Sequence, residues 1–361
     1  MARGPSQNLF RSARAGIAPL AKTALLRTGG YAAIRSLLPS RSLAILRYHA
    51  ICGAEGYGYA DPQICITPEN FERHVAYLSS AYSVVRLEDA ATRLAAGEAL
   101  PRNAVAITFD DGYADNLQAA RILAKYGATA TFYITAGCLA GGQPFWPSEI
   151  RHLVGGVRAS RIRLEAPGVA LDLPLASDRD RGAAVKALTK AFKSNLIPVR
   201  EELRSQLRQL ASNPTLPRVM LTWDEVREMR RLGMTIGSHT MTHPNLPSAG
   251  PDAARAELTA SRRRLEQETQ APVTMFSYPN GGADRYLTPD VQAAVKEAGY
   301  LAATTSRNAV ATRGSDLYAL ERVEVEERLE DLVFALELER FVFKPQPRSG
   351  ERQSTGGGPP R

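Results

Sequence analysis

The stretch AVAITFDDGYADN, residues 104–116, decides how this chain is read. Its first six residues are apolar or β-branched and lie between Pro101 upstream and Gly112 downstream. This pattern predicts a short strand buried on both faces of a parallel sheet. Asp110 and Asp111 follow at its C-terminal end, where α/β folds place their chemistry. Side chains alternate along a strand, so two adjacent carboxylates point differently if the strand persists. Two orientations predict two different jobs.

Working outward, strand and helix patterns alternate. LAILRYHAI (43–51) reads as a first strand, 67–82 as a helix capped by Thr67, and 87–97 as a helix closed by Gly97. A helix ending at Gly127 and the strand ATATFYIT (128–135) follow AVAITF. This alternation predicts a parallel α/β architecture. Between about 138 and 220 the rhythm breaks into a hairpin, RIRLEAPGVALDLPL, and two charged amphipathic helices. We read this as an insertion in a single body spanning 43–343. Alternation resumes at LTWDEVREMRRLG (221–233), where Thr222 and Glu225 form a capping box. It continues through the strands MTIGSHT, VTMFSYP and LAATTS to the helix LEDLVFALELERF. Residues 344–361 hold no apolar anchor and are expected to be disordered.

The net charge of +8 points to nucleic acid only until it is located. Residues 1–50 carry eight Lys or Arg and no acid, and removing those eight from 45 leaves 37 basic residues against 37 acidic. A neutral body excludes a basic nucleic-acid groove. The basic extension, 1–42, scatters Leu9, Phe10, Ile17, Leu20 and Leu25 among its cations. It reads either as a frayed leader or as a segment lying on an anionic membrane surface, and its Arg-rich character also resembles a transit peptide. It lacks the apolar core of a secretory signal, and nowhere do 18 apolar residues run together. The expected location is cytoplasmic, with peripheral contact at the inner membrane surface. Cys52, Cys65 and Cys138 are odd in number and lack CxxC spacing, so they read as buried free thiols.

Chemistry gathers around five histidines, at 49, 74, 152, 239 and 243. His239 and His243 sit in SHTMTHPNL at the end of a predicted strand. A pair spaced i, i+4 converges on one cation if the backbone turns. Thr240 and Pro244 rule out a helical zinc motif, so the turn is expected from a loop and the base from elsewhere. Two imidazoles and one of the two aspartates make a three-ligand site that leaves positions open for water and substrate.

Together, TFDDGY (108–113), SHTMTHPNL (238–246) and FSYPNG (276–281) resemble the polysaccharide deacetylases of the NodB-homology type, carbohydrate esterase family four, over about residues 43–335. The resemblance implies a distorted (β/α) barrel of about seven strands, here with an α-rich insertion, and metal-dependent removal of N-acetyl groups from amino sugars of a glycan. It implies Asp110 as general base and Asp111, His239 and His243 as ligands of a divalent metal, Zn²⁺ first, with Ni²⁺, Co²⁺ or Mn²⁺ as substitutes. It also implies the Asn280 backbone N–H as oxyanion donor beside a metal-activated water. The family's usual third-motif Arg is absent, Ser277 standing in its place. Arg322 in ALERVEV is expected to orient Asp110 instead, as in the subgroup resembling poly-N-acetylglucosamine deacetylases. No histidine follows His243, so His49 in RYHAI is the candidate general acid. Tyr113, Tyr278 and Trp146 are candidate sugar-stacking residues, with Phe145 and Trp146 near a rim. Two rival readings are a metal-dependent amidase acting on a non-sugar amide and an inactive glycan-binding protein.

Overall fold

In the computed structural model, residues 19–282 and 284–338 are described. The chain opens with α1 (Pro19–Arg27) and α2 (Gly30–Leu37), then β1 (Leu43–Tyr48), α3 (Pro68–Ala81), β2 (Ser83–Val84), α4 (Leu87–Ala95) and β3 (Ala104–Phe109). Next come α5 (Asn116–Lys125), β4 (Thr131–Ile134), α6 (Trp146–Gly156), the pair β5 (Arg161–Ala166) and β6 (Val169–Pro174), α7 (Asp178–Ser194) and α8 (Ile197–Leu210). The last part holds α9 (Trp223–Arg231), β7 (Thr235–Ser238), α10 (Leu246–Ala249), α11 (Pro251–Thr269), β8 (Met275–Ser277), α12 (Pro289–Glu297), β9 (Ala302–Thr304), β10 (Val323–Glu324) and α13 (Leu329–Glu337).

Seven strands follow one path in the order β10-β1-β3-β4-β7-β8-β9, with β2 added beside β3, and every pairing in this sheet is parallel. The sheet curls with helices around it, giving a half-barrel consistent with the expected distorted (β/α) barrel. Irregular chain crosses the open side: Thr305 N–H donates to Leu320 O at 2.8 Å and Arg322 N–H to Arg307 O at 2.8 Å.

β3 is buried throughout, as its composition requires. Val105, Ile107 and Phe109 belong to the large apolar layer under the helices, where Phe109 stacks on Phe132 with ring centroids 4.5 Å apart. Ala104 and Ala106 face the barrel interior with Leu43, Ile45, Tyr133 and Met275. Alternation carries this inner face on to Thr108 and then to Asp110. The strand ends at Phe109, and Asp111 takes φ 78°, so the two carboxylates part through a left-handed turn rather than through continued pleating.

The insertion forms a subcore of its own around Trp146, Ile150, Leu188, Phe192, Leu203 and Leu207. Its hairpin β5–β6 and helices α7 and α8 match the sequence pattern, whereas α6 is not anticipated by it. Glu149 is buried there between Arg204 and Arg208, both at 2.6 Å. Residues 19–37 correct the picture of a frayed leader. Tyr31 is fully buried, Lys22 Nζ reaches Asp331 at 2.8 Å and Arg35 reaches Glu337 at 3.0 Å, docking α1 and α2 onto α13. The first 18 residues and the expected disordered tail, 344–361, lie outside the described residues. Among the described residues, no helix is long and apolar enough to cross a membrane.

Candidate metal and catalytic site

The carboxyl ends of β1, β3, β7 and β8 deliver His49, Asp110 and Asp111, His239 and Ser277 to one end of the barrel. Asp111 Oδ1 lies 3.4 Å from His239 Nε2 and 3.3 Å from His243 Nε2. All three residues are buried, and one donor atom from each falls within 4.8 Å of the others. The ring Nδ1 of His239 is 2.7 Å from the Ser277 carbonyl, which fixes that nitrogen as the donor and leaves Nε2 with its lone pair for a cation. One carboxylate and two imidazoles with open positions are the chemistry of a divalent metal centre, so the residues present fit the group that the sequence implies.

Four non-glycine residues of the site hold positive φ: Asp111 at 78°, Thr240 at 70°, His243 at 55° and Asn280 at 64°. Such backbone costs about 1–3 kcal/mol per residue and persists where surroundings over-determine it. Here they do. Thr240 Oγ1 accepts from His243 N–H at 3.0 Å. Glu257, reaching in from α11, accepts from the Met241 and Thr242 N–H groups at 2.7 and 2.9 Å and from Thr242 Oγ1 at 2.6 Å. Arg200, from α8, donates to the Thr242 carbonyl at 3.2 Å. Trp146 Nε1 donates to the His243 carbonyl at 3.0 Å.

Asp110 lies beside this cluster but answers to a different partner. Arg322, immediately before β10 and fully buried, grips it with both terminal nitrogens, Nη1 to Oδ1 at 2.8 Å and Nη2 to Oδ2 at 2.6 Å. The remaining guanidinium donors go to Thr305 O at 2.7 Å, Thr108 Oγ1 at 3.2 Å and Ser277 Oγ at 3.1 Å. Ser277, which stands in place of the family's usual third-motif Arg, therefore accepts a bond from the guanidinium that holds Asp110. Burial alone would raise the Asp110 carboxyl, but Arg322, with His239 and His49, outweighs it and holds the group well below its ordinary value. Asp111 is also held far down, where the bonds to the two histidines overcome the burial penalty.

His49 follows β1, with Nε2 3.6 Å from Asp110 Oδ2. Burial pushes it down to about 4 against the pull of both aspartates, so the ring is neutral at ordinary pH. Its carbonyl accepts from Asn116 Nδ2 at 2.8 Å. Asn280 lies in the turn after β8, and its backbone N–H has no acceptor among the described residues. Of the other histidines, His74 is buried with Nδ1 3.2 Å from Tyr48 OH, and His152 is bound to the Asn213 carbonyl at 3.0 Å.

The aromatic assignments need correction. Trp146 and Phe145 are buried, and both rings pack on His243, with centroids 5.8 and 5.3 Å away. Tyr113 is buried against Phe145 and Tyr59, and Tyr278 is buried with its hydroxyl donating to Tyr318 O at 2.8 Å. None of the three, Tyr113, Tyr278 or Trp146, offers a ring face to a sugar, because each is buried against the Asp111–His239–His243 cluster or in the core instead. Sequence reasoning missed Glu257, Arg200 and Asn116. The first two sit among solvated-looking helical charges, and no spacing rule ties either helix to the Thr240–His243 loop.

Comparison with known proteins follows the same residues. A sequence profile of the polysaccharide deacetylase family matches residues 97–158 and 186–303. The break between these segments falls on β5–β6 and the first turns of α7, inside the insertion. YxkH of Bacillus subtilis (strain 168), named for the same family, is 24% identical over 299 residues, covering 82% of this chain and 76% of that one. The deacetylase PplD of Streptococcus pyogenes, solved with acetate, superposes with a TM-score of 0.55 at 19% identity, covering 82% and 99% of the two chains. IcaB from Ammonifex degensii gives 0.54 at 17%, covering 82% and 98%. With its barrel, its Asp–His–His cluster and its Arg-gripped aspartate, this chain belongs to the polysaccharide deacetylase family and is a deacetylase.

Proposed function

We propose that the chain removes acetyl from N-acetylated amino sugars of a glycan with the help of a divalent metal, in the manner of the poly-N-acetylglucosamine deacetylases. The observation that carries this reading is the division of labour at the strand end. Asp111 faces His239 and His243, while Asp110, 3.6 Å from His49, is held by Arg322. Asp111, His239 and His243 would hold the metal. When bound, it would polarise the acetamido carbonyl and acidify water.

The protein's own groups supply the rest. Asp110 is ionised and oriented, so it accepts the proton of the attacking water. Held acidic by Arg322, it keeps that proton weakly and passes it to the neutral His49 ring. His49 then protonates the departing amine. The Asn280 N–H donates to the oxyanion, a contribution of about 3 kcal/mol for one such donor. Barrel burial keeps bulk water from competing for these bonds.

Acetate release from chitooligosaccharides, measured with and without chelator, tests the reading. Chelation is expected to abolish release and Zn²⁺ to restore it. Asp110→Asn should keep its metal and lose turnover, whereas Asp111→Ala, His239→Ala and His243→Ala should lose both. Chelator-resistant release would overturn the metal assignment, and hydrolysis confined to simple amides would favour the non-sugar amidase.

A further inference from the structure

The three cysteines are buried free thiols, as expected, but two of them meet. Cys52 and Cys65 bring their sulfurs to 3.2 Å, both within the segment that joins β1 to α3, while Cys138 lies elsewhere. We propose that Cys52 and Cys65 form a reversible intramolecular disulfide that staples this segment beside the catalytic site.

The backbone prepares the pairing. Ala50 and Cys65 face each other in a parallel bridge, and Ile66 N–H donates to the Ala50 carbonyl at 3.1 Å. The chain between them winds through two short 3₁₀ turns, 54–58 and 62–64, and returns to its start. Gly56 lies so close over Cys52 that a Cβ there would fall 2.2 Å from the sulfur, so a glycine at this position leaves room for the Cys52 side chain beside Cys65. A disulfide bond is about 2.05 Å long, leaving an approach of roughly 1 Å, within the reach of side-chain rotation. The Cys65 thiol beside it lowers the Cys52 thiol's pKa, which favours the thiolate that attacks.

The segment is not remote from function. Cys52 lies three residues after His49. The root of the same loop is tied to α5 and the residue before it: Asp115 accepts from Ile51 N–H at 3.0 Å and from Tyr59 OH at 2.9 Å, and Asn116 holds the His49 carbonyl. A covalent staple would add to these ties and fix the far end of the loop.

Glutathione disulfide, or an oxidoreductase of the same chemistry, serves as oxidant. The Cys52 thiolate attacks one sulfur of the glutathione disulfide, forming a mixed disulfide and expelling one glutathione thiolate. The Cys65 sulfur then attacks Cys52 Sγ, expelling the second. Two electrons pass to glutathione, and the two cysteine protons end on the two glutathione thiols.

The test uses the full chain equilibrated with glutathione disulfide, then alkylated after denaturation and mapped by mass spectrometry. The number of alkylated thiols should fall from three to one, with Cys138 alone modified and a peptide linked through Cys52 and Cys65. The melting temperature should rise by about 5 °C, as expected for closing a loop of this length, and return on reduction. Cys65→Ser should instead retain one glutathione on Cys52. Three alkylatable thiols at oxidising ratios, a cross-link through Cys138, or a persistent glutathione adduct on the unsubstituted chain would each overturn the proposal.

Discussion

Replacing Arg322 by lysine tests the clamp on Asp110 that the sequence led us to expect. Five donor contacts from one fully buried guanidinium reach Asp110 twice, Thr305 O, Thr108 Oγ1 and Ser277 Oγ. An ammonium has three donors on one nitrogen and cannot span both Asp110 oxygens and the flanking acceptors at once. At least two buried acceptors lose their partner, and the carboxylate loses its bidentate clamp. Breaking a buried ion pair costs about 3–5 kcal/mol when one charge is left behind. Lysine keeps part of the charge, so about 2–3 kcal/mol is expected, and Arg322→Met should reach the full range. The second consequence is electrostatic. Arg322 is the chief force holding the Asp110 carboxyl below its ordinary value against burial, so weakening it raises that pKa. The acid limb of kcat/KM should then move to higher pH. Denaturant unfolding and a pH–rate profile on a chitooligosaccharide give both readouts. A double mutant, Asp110→Asn with Arg322→Met, should fall short of the summed losses by 2 kcal/mol or so, as directly coupled groups do. Additive losses with an unmoved acid limb would refute the reasoning.

Other outcomes follow from the same geometry. Glu257→Ala removes three bonds that shape the Thr240–His243 turn, so zinc affinity by calorimetry should fall about 10–100-fold while turnover at saturating zinc changes little; unchanged affinity would deny Glu257 that role. His49 is pushed down to about 4 by burial, so it is a proton acceptor above that pH and cannot accept below it. Turnover should rise through pH 4 and show no alkaline limb from His49, and loss of a limb near its ordinary value of about 6.5 in His49→Gln would contradict this. Asp115 is raised to about 6 from 3.8, chiefly by burial. The folded chain thus keeps a proton there, between pH 4 and 6, that the unfolded chain releases, and stability should fall as pH rises across that window by about 3 kcal/mol. Asp115→Asn should flatten that slope in pH-dependent unfolding.

The barrel was legible because its strands are short apolar runs between good helix signals. Thr67, Thr222 and Glu225 cap their helices as their chemistry dictates. The meeting of Asp111, His239 and His243 was legible because they lie at or just beyond strand ends, where a parallel sheet gathers its termini. What could not be read was direction. Strand alternation places Asp110 inside, but nothing in TFDDGY shows that Asp111 turns through a left-handed residue. Trp146 looked like a rim aromatic because exposure is a property of the folded surface, and the partner that buries it, His243, lies nearly a hundred residues on. The docking of α1 and α2 was hidden for a similar reason. The acids that receive Lys22 and Arg35 come from α13, at the other end of the chain.

Trp146 and Arg200 belong to the insertion, yet both bond to carbonyls of the loop that carries His243. Accessory segments on barrels are often treated as exchangeable modules that tune what an enzyme accepts. Here the segment is also a brace for the turn that carries His243, so chimaeras that transplant another relative's segment onto this barrel would inherit its preferences only if they also supplied two donors at those carbonyls.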